Sequence, residues 1–171
     1  ALDGIASLSL DQSSFDCSHI GSDNPVVLTV TDLDGDESTC TANVTILDET
    51  PPEAVCQDII ISTDATGNAT ISPSDLDNGS TDACTSDLGF TVDMATFDCA
   101  DTEVMVTLTV TDDSDNQSTC MATVTVQDQV APVAVCQNIA VQLDASGNSS
   151  LMPQQADNGS VDNCSGDLTF E

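Results

Sequence analysis

Carboxylate side chains stand on alternate residues of a short turn near the start of the chain, at Asp32, Asp34 and Asp36. This spacing lets several oxygen atoms converge on one hard cation, and Ca²⁺ takes roughly six to eight such ligands. The turn is not an EF-hand loop, because it lacks the distal Glu and the flanking helices that such a loop requires. The chemistry that this turn predicts is calcium binding.

Acidic residues are similarly dense in a second turn, in a loop and at the junctions between repeated segments. For any one of these places, ordinary turn formation by Asp, Asn and Gly is the better explanation. For the whole set we expect Ca²⁺, because the chain sets 30 acidic residues against no Lys or Arg. The further candidate ligands are Asp48, Asp75, Asp77, Asp82, Asp112, Asp113, Asp115 and Asp128.

The formal net charge of −30 excludes several functional classes. Without Lys or Arg, no basic surface can neutralise nucleic-acid phosphates, and neither a lysine Schiff base nor an arginine clamp can form. No apolar run approaches about 18 residues, so insertion into a membrane is not expected. We expect no catalysis, since the single His19 has no equivalent in the next repeat and the Asp-Thr-Gly of aspartic proteases is absent.

The sequence repeats itself at a spacing of about 80 residues, so that residue 53 corresponds to residue 133. Of the 39 positions in 53–91, 19 are identical to those in 133–171. Other matches are Leu-Thr-Val-Thr-Asp at 28–32 and 108–112, and Ala-Val-Cys-Gln at 54–57 and 134–137. We therefore divide the chain into the back half of one repeat at 1–50, a complete repeat at 51–130 and the front half of a third at 131–171.

The complete repeat is predicted to consist of strands. Apolar residues alternate with Thr and other side chains in 104–111 and 118–126, which is the two-residue period of a half-buried strand. No segment combines helix caps with a 3.6-residue period. Short strands with turns at intervals of about 8–12 residues predict an all-β sandwich. The predicted strands are 54–62, 69–72, 88–94, 104–111 and 118–126, with an acidic loop at 73–87.

The motifs resemble those of a known family. Val-Thr-Asp, then Ser-Thr-Cys-x-Ala-x-Val-Thr, then Asp-x-x-x-Pro-x-Ala-Val-Cys-Gln is similar to the hyalin-repeat (HYR) family, in the variant found in large secreted surface proteins of Bacteroidetes-like bacteria. The resemblance covers essentially the whole chain. It implies tandem immunoglobulin-like β-sandwich repeats of about 80 residues, a length within the usual range for a domain. It also implies an adhesive or structural role at the cell surface, and no catalysis. Family members usually contain some Lys and Arg, and this chain departs from them there.

Eight cysteines indicate disulfides and an oxidising, extracellular setting. The complete repeat holds four of them, which leaves three possible pairings. In sandwiches of the family that the chain resembles, the first and last strands lie side by side. We therefore favour Cys56–Cys120 and, for the remaining pair of the complete repeat, Cys84–Cys99.

The four cysteines outside the complete repeat are expected to bond to neighbouring segments. By analogy, Cys136 would pair with an equivalent of Cys40, and Cys164 with an equivalent of Cys17, in the following segment. Chain end and chain start would then belong to one composite domain, along a longer polypeptide or between subunits. Free thiols at Cys40 and Cys136 would count against this arrangement, and a truncated segment is the alternative to it.

Seven of the nine asparagines stand in Asn-x-Ser/Thr sequons, so N-glycosylation is a further expectation. Hydroxyls on the Thr-rich strands offer sites for O-glycans equally well. The sequons lie at Asn43, Asn68, Asn78, Asn116, Asn148, Asn158 and Asn163.

These features favour a structural repeat segment of an extracellular filament or cell-surface stalk. Its partners would be further copies arranged head to tail, and disulfides and Ca²⁺ would stiffen it. The first alternative is a calcium-dependent adhesin module that binds glycans or other cells. The second is a non-catalytic spacer in a secreted enzyme.

Overall fold

The structure is a computed structural model that describes residues 4–164, and it is mostly β, with 42% strand and 7% helix. The predicted all-β class is therefore confirmed. Among the described residues, the helical elements are a 3₁₀ turn at Cys17–His19 and the four-residue helices α1 and α2, Pro73–Leu76 and Pro153–Ala156. No helix in this part of the chain is long and apolar enough to cross a membrane.

The strands of the described chain form three separate sheets. A three-stranded sheet has the order β1-β2-β3, a four-stranded sheet the order β4-β9-β8-β6, and β5 pairs with β7. The strands are β1 Ile5–Leu10, β2 Asn24–Asp32, β3 Glu37–Val44, β4 Ile59–Ser62, β5 Asn68–Thr70, β6 Gly89–Val92, β7 Thr96–Asp98, β8 Glu103–Thr111 and β9 Gln117–Gln127.

The chain divides into two compact units, each assembled from separate stretches of sequence. Among the described residues, the first unit contains 4–53 together with 80–89 and 110–118. The second contains 54–79, 90–109 and 119–164. Each unit therefore takes residues from more than one sequence repeat, while the division of the sequence at residues 50 and 130 stays a prediction.

The core of the second unit follows from the alternation on β8 and β9. Val106 and Leu108 are fully buried on β8, whereas Met105, on the opposite face of the strand, is 61% exposed. On β9, Val124 is fully buried and lies beside Ile59 of the parallel strand β4. Burying one face of each strand removes its branched apolar side chains from water, which is the main stabilising contribution. The predicted alternation is confirmed.

Helix α1 lies in the segment that was predicted to be a loop. Its first residue is Pro73, and the main-chain N–H of Ser72 donates to the Asp75 carboxylate at 2.7 Å. Proline at the first helical position and an acidic residue two positions later are helix-start signals. The single turn places Leu76 in the core with no exposed surface. The prediction of no helix was wrong because four residues are too few to show a 3.6-residue period.

Some positions that form the core of the complete repeat are exposed at their equivalents on either side of it. Ile71 is 8% exposed, whereas Leu151, its equivalent in the next repeat, is 51% exposed. Ala122 is 3% exposed, and Ala42, its equivalent in the preceding repeat, is an exposed residue. Val26, the equivalent of Val106, is an exception, because it is only 4% exposed.

Three disulfides join six of the eight cysteines. Cys56–Cys120 confirms the prediction, but the Cys84–Cys99 pairing was wrong. The structure instead has Cys17–Cys84 and Cys99–Cys164, with Cα–Cα distances of 5.2 and 5.1 Å. The physical reason is that Cys84 packs with residues of the first unit while Cys99 belongs to the second. Three disulfides are typical of proteins from an oxidising, extracellular environment.

The cysteines outside the complete repeat behave only in part as expected. Cys17 and Cys164 each bond to the neighbouring repeat, as predicted, but the partner of Cys164 is Cys99 in the preceding repeat and not a cysteine in a following segment. Cys40 and Cys136 are exposed free thiols. Free thiols at these two positions count against the composite domain of chain end and chain start.

Candidate metal centre

Three carboxylates from distant parts of the sequence converge within the first unit. Asp48, Asp82 and Asp112 each offer one oxygen atom, and these atoms all lie within 4.8 Å of one another. Asp112 is buried, at 5% exposure, and the other two are half-buried. We call these three residues the Asp triad. Within residues 4–164 it is the only group of three or more His, Cys, Asp or Glu residues with this closeness.

The turn that follows β8 positions Asp112. Its Oδ1 accepts hydrogen bonds from the main-chain N–H groups of Ser114 at 2.9 Å and Asn116 at 2.8 Å. Asp115 takes a positive φ of 66° inside this turn, a conformation that Asp and Asn tolerate better than most residues. The turn therefore folds back on the Asp112 side chain and fixes its direction.

A tight turn in the second contributing loop holds Asp82. Its Oδ1 accepts from the main-chain N–H groups of Cys84 at 2.8 Å and Thr85 at 2.7 Å. These two bonds favour the ionised form and hold the pKa of Asp82 below its usual range. The Thr85 hydroxyl oxygen accepts from the N–H of Asp113 at 3.2 Å, which ties this turn to the one that carries Asp112.

The third contributing segment is the repeat junction that contains Asp48. The Oδ1 atom of Asp48 accepts from the Thr50 N–H at 3.0 Å. Its main-chain carbonyl accepts from the side-chain amide of Asn116 at 3.1 Å, and the same amide nitrogen donates to Oδ2 of Asp112 at 2.9 Å. Asn116 thus connects two members of the Asp triad.

A cavity of about 240 Å³ is lined by Asp48, one member of the Asp triad, and by neighbours of the other two. The Cys17–Cys84 disulfide contributes both of its residues to the wall. Three carboxylates supply fewer ligands than Ca²⁺ takes, and the cavity offers room for the waters that would complete its shell. The residues that line it are Cys17, Ile20, Asp48, Cys84, Thr85, Asp113 and Ser114.

No cationic side chain offsets the repulsion among these carboxylates. The sequence has no Lys or Arg, and the ion pair found in the described part of the chain joins His19 Nδ1 to Asp16 Oδ1 at 2.9 Å. Like charges at such short separation destabilise a folded site unless protons or a cation neutralise them. A bound divalent cation places charge where the repulsion is strongest. The Asp triad could therefore hold a metal ion.

Other predicted ligands serve as caps of their own turns. Asp32 Oδ1 accepts from the N–H groups of Asp34 and Asp36, both at 2.9 Å. Asp112 caps its own turn in the same way, but within residues 4–164 Asp32 belongs to no group of three carboxylates as close as the Asp triad. Asp75 caps α1, and Asp77 Oδ2 accepts from the Gly79 N–H at 3.2 Å. Ordinary turn formation accounts for these residues. The remaining candidates in the two turns are exposed, at Asp34, Asp36, Asp113 and Asp115.

At the next repeat junction, two members of the Asp triad have sequence equivalents. Asp128 is the equivalent of Asp48, and Asp162 is the equivalent of Asp82. Asp128 Oδ1 accepts from the Val130 N–H at 3.0 Å and from the Thr63 hydroxyl at 3.4 Å. Asp162 Oδ1 is buried without a hydrogen-bond partner. No third carboxylate joins these two in the part of the chain that the structure describes.

The sequons differ in how free their side-chain amides are. Asn116 is half-buried and both of its amide hydrogen bonds go to the Asp triad, so a glycan there would displace them. The other sequons of the prediction include exposed residues at Asn43, Asn68, Asn78, Asn148 and Asn158.

Sequence reasoning named every member of the Asp triad but did not bring them together. It treated Asp48 as a junction residue, Asp82 as part of an acidic loop and Asp112 as part of a turn. In the structure, the Asp triad contains one carboxylate from each of these three places, the junction, the loop and the turn. The available signal was Asn116, which lies in the same turn as Asp112 and is also a sequon.

No known family model matches this chain, and no curated protein is significantly similar to it.

Proposed function

We propose that the chain is a structural segment of an extracellular filament or cell-surface stalk, built from immunoglobulin-like repeats of the HYR type and stiffened by Ca²⁺ at the Asp triad. The observation that carries the proposal is the placement of two disulfides across the repeat boundaries. Cys17–Cys84 joins 1–50 to 51–130, and Cys99–Cys164 joins 51–130 to 131–171. Neighbouring repeats are thereby tied twice, by the main chain and by a disulfide.

This double connection suits a load-bearing array better than a string of independent modules. Modules on flexible linkers need only the main chain between them. Here the junction at residue 50 also carries Asp48, whose carboxylate meets those of Asp82 and Asp112 from the next repeat. A cation at the Asp triad would add a third connection across the same junction.

Exposed apolar side chains support association with further copies. Leu47, Val133 and Leu143 are 70%, 60% and 63% exposed. A second copy that covers such side chains removes their apolar surface from water, which favours association. We propose that copies associate head to tail through these flanking segments, that the assembly lies at the cell surface, and that it carries no catalytic activity.

Electron microscopy of the purified chain, with calcium and after chelation, tests the proposal. Fibres with a regular axial repeat are expected with calcium, and softer or shorter fibres after chelation. The Asp82→Asn variant should resemble the chelated sample, because an amide oxygen still accepts the Cys84 and Thr85 N–H groups but carries no charge. Asp64→Asn, which alters a similar turn outside the Asp triad, is the matched control.

Dispersed particles in both conditions would contradict the filament. An adhesin module or an enzyme spacer would then be the better explanation, and binding to a glycan array separates these two. Fibres that are unchanged by chelation and by Asp82→Asn would support the filament and contradict the proposed role of calcium.

A further inference from the structure

The three disulfides overlap along the sequence. They are Cys17–Cys84, Cys56–Cys120 and Cys99–Cys164, with sequence separations of 67, 64 and 65. Each loop that a disulfide closes contains one cysteine of the next disulfide. Every peptide bond between Cys17 and Cys164 therefore lies inside at least one closed loop.

Two of these bonds define the shortest covalent route through the chain. The route crosses from Cys17 to Cys84, follows the main chain from Cys84 to Cys99, and crosses to Cys164. Tension between the two ends is carried by this route, because the shorter of two covalent paths becomes taut first. The remaining main chain between Cys17 and Cys164 lies off the route.

We infer that the chain is a tension-bearing tether whose maximum length is set by its disulfides and not by the stability of its fold. The main chain from Cys84 to Cys99 extends to about 50 Å, whereas the main chain from Cys17 to Cys164 would reach about 500 Å if it were free. The inference rests on the proposed function only in supposing that the chain is pulled in use. The covalent route itself follows from the pairing of the cysteines.

The route also shields the Asp triad from direct pulling. Asp48 and Asp82 lie between Cys17 and Cys84, and Asp112 lies between Cys99 and Cys164. Tension bypasses the main chain at all three residues. The Cys56–Cys120 bond lies off the route as well, so its contribution is to folding stability and not to the limit of extension.

Single-molecule pulling of the full chain, held at both termini between marker domains, tests the inference. Under oxidising conditions the segment from Cys17 to Cys164 should lengthen to no more than about 60 Å, which is the stretch from Cys84 to Cys99 together with the two disulfides that the route crosses. Reduction should raise this limit about eightfold. An extension well beyond this limit in the absence of reductant would overturn the inference, because the cysteines would then not be paired in the way that defines the route.

Two double variants make the test specific. Cys56→Ser with Cys120→Ser should leave the limit unchanged. Cys17→Ser with Cys84→Ser should raise it more than threefold, to roughly 210 Å, since the shortest route then runs through Cys56–Cys120 and Cys99–Cys164 and about 60 residues of main chain. The limit depends on covalent bonds alone, so a variant that fails to fold still gives a decisive result.

The outcomes separate this inference from the proposed function. If the maximum extension is set by the stretch from Cys84 to Cys99 but the chain forms no fibres, the tether is supported and the filament is contradicted. Fibres whose chains stretch well beyond this limit in the absence of reductant would support the filament and contradict the tether.

Discussion

The side-chain amide of Asn116 donates a hydrogen bond to the main-chain carbonyl of Asp48 at 3.1 Å, across 68 residues of sequence. The same nitrogen donates to Oδ2 of Asp112 at 2.9 Å. Asn116 is therefore a positioning residue: it holds two members of the Asp triad in place without offering an oxygen to the site. Its amide also partly offsets the charge that these carboxylates bring together.

Replacing Asn116 by Ala should weaken cation binding about tenfold, the usual lower bound for the loss of a residue that orients a ligand. Titration calorimetry with Ca²⁺ measures the affinity. Asn68→Ala is the matched control, because the Asn68 amide bonds within a similar turn, to the Thr66 carbonyl at 3.2 Å, away from the Asp triad. An unchanged affinity in Asn116→Ala, with a lowered melting temperature in the absence of Ca²⁺, would reduce Asn116 to a structural role.

Features that depend on neighbouring residues were predictable from the sequence. Alternation indicated the buried face of β8, and Val106 and Leu108 lie fully inside as expected. Gly67, in the turn between β4 and β5, takes a φ of 80°, a backbone conformation that Gly adopts more readily than other residues. In these cases the repeating period or a single backbone requirement decides the structure, so no information from distant residues is needed.

Apart from Cys56–Cys120, which the family resemblance implied, the features that depend on which segments meet were not predictable. Cys84 and Cys99 are close in sequence, and they were the pair left over once Cys56–Cys120 was assigned. The loop at 80–89 instead packs in the first unit, where Cys17 is the partner of Cys84. The Asp triad was missed for the same reason, because its members lie on three segments whose meeting is set by tertiary packing.

Acid should remove a stabilising contribution from Asp64. Its pKa is lowered from 3.8, chiefly because the Thr66 hydroxyl donates to the carboxylate at 2.6 Å. A lowered pKa in the folded state stabilises the fold above the ordinary value and loses this effect as the pH falls through the folded-state value. At about pH 6 the melting temperature of the wild type should be higher than that of Asp64→Asn. This difference in melting temperature should become smaller as the pH falls toward about 2. A difference that grows in acid would contradict the assignment.

Gly67 is held against the second inter-repeat disulfide. A Cβ at this position would lie 2.8 Å from Sγ of Cys99 and 3.0 Å from the carbonyl oxygen of Asn163. Gly147, its equivalent in the next repeat, has a similar φ of 77° but nothing within 4 Å of such a Cβ. Alanine costs about 1 to 2 kcal/mol of backbone strain at either position. Only at Gly67 should overpacking against Cys99 destabilise the folded state by a further 1 to 3 kcal/mol, roughly.

Thermal unfolding of Gly67→Ala and Gly147→Ala measures this difference. Gly67→Ala should melt at a lower temperature than Gly147→Ala. The difference between the two melting temperatures should decrease once the disulfides are reduced, because Cys99 is then free to move. Equal melting temperatures would mean that the contact at Cys99 contributes nothing.

The disulfide pattern makes a sharp prediction for digestion after glutamate. Cleavage after Glu37, Glu49, Glu53 and Glu103 divides the sequence into five peptides. With the observed pairing, 1–37, 54–103 and 104–171 stay joined, because Cys17–Cys84 connects the first two and Cys56–Cys120 and Cys99–Cys164 connect the last two. The peptides 38–49 and 50–53 are released, the former with the free thiol of Cys40.

Mass spectrometry without reductant, on chain alkylated in acid to prevent exchange, should therefore find one three-peptide species carrying a single alkylated thiol at Cys136. Reductant should separate it into its three peptides. The pairing expected from the sequence, Cys84–Cys99, would instead release 1–37 before reduction, because Cys17 would then have no partner in this chain. Release of 1–37 would also shift the covalent route under tension to the Cys56–Cys120 bond, so this digestion decides whether the tether has the right connections.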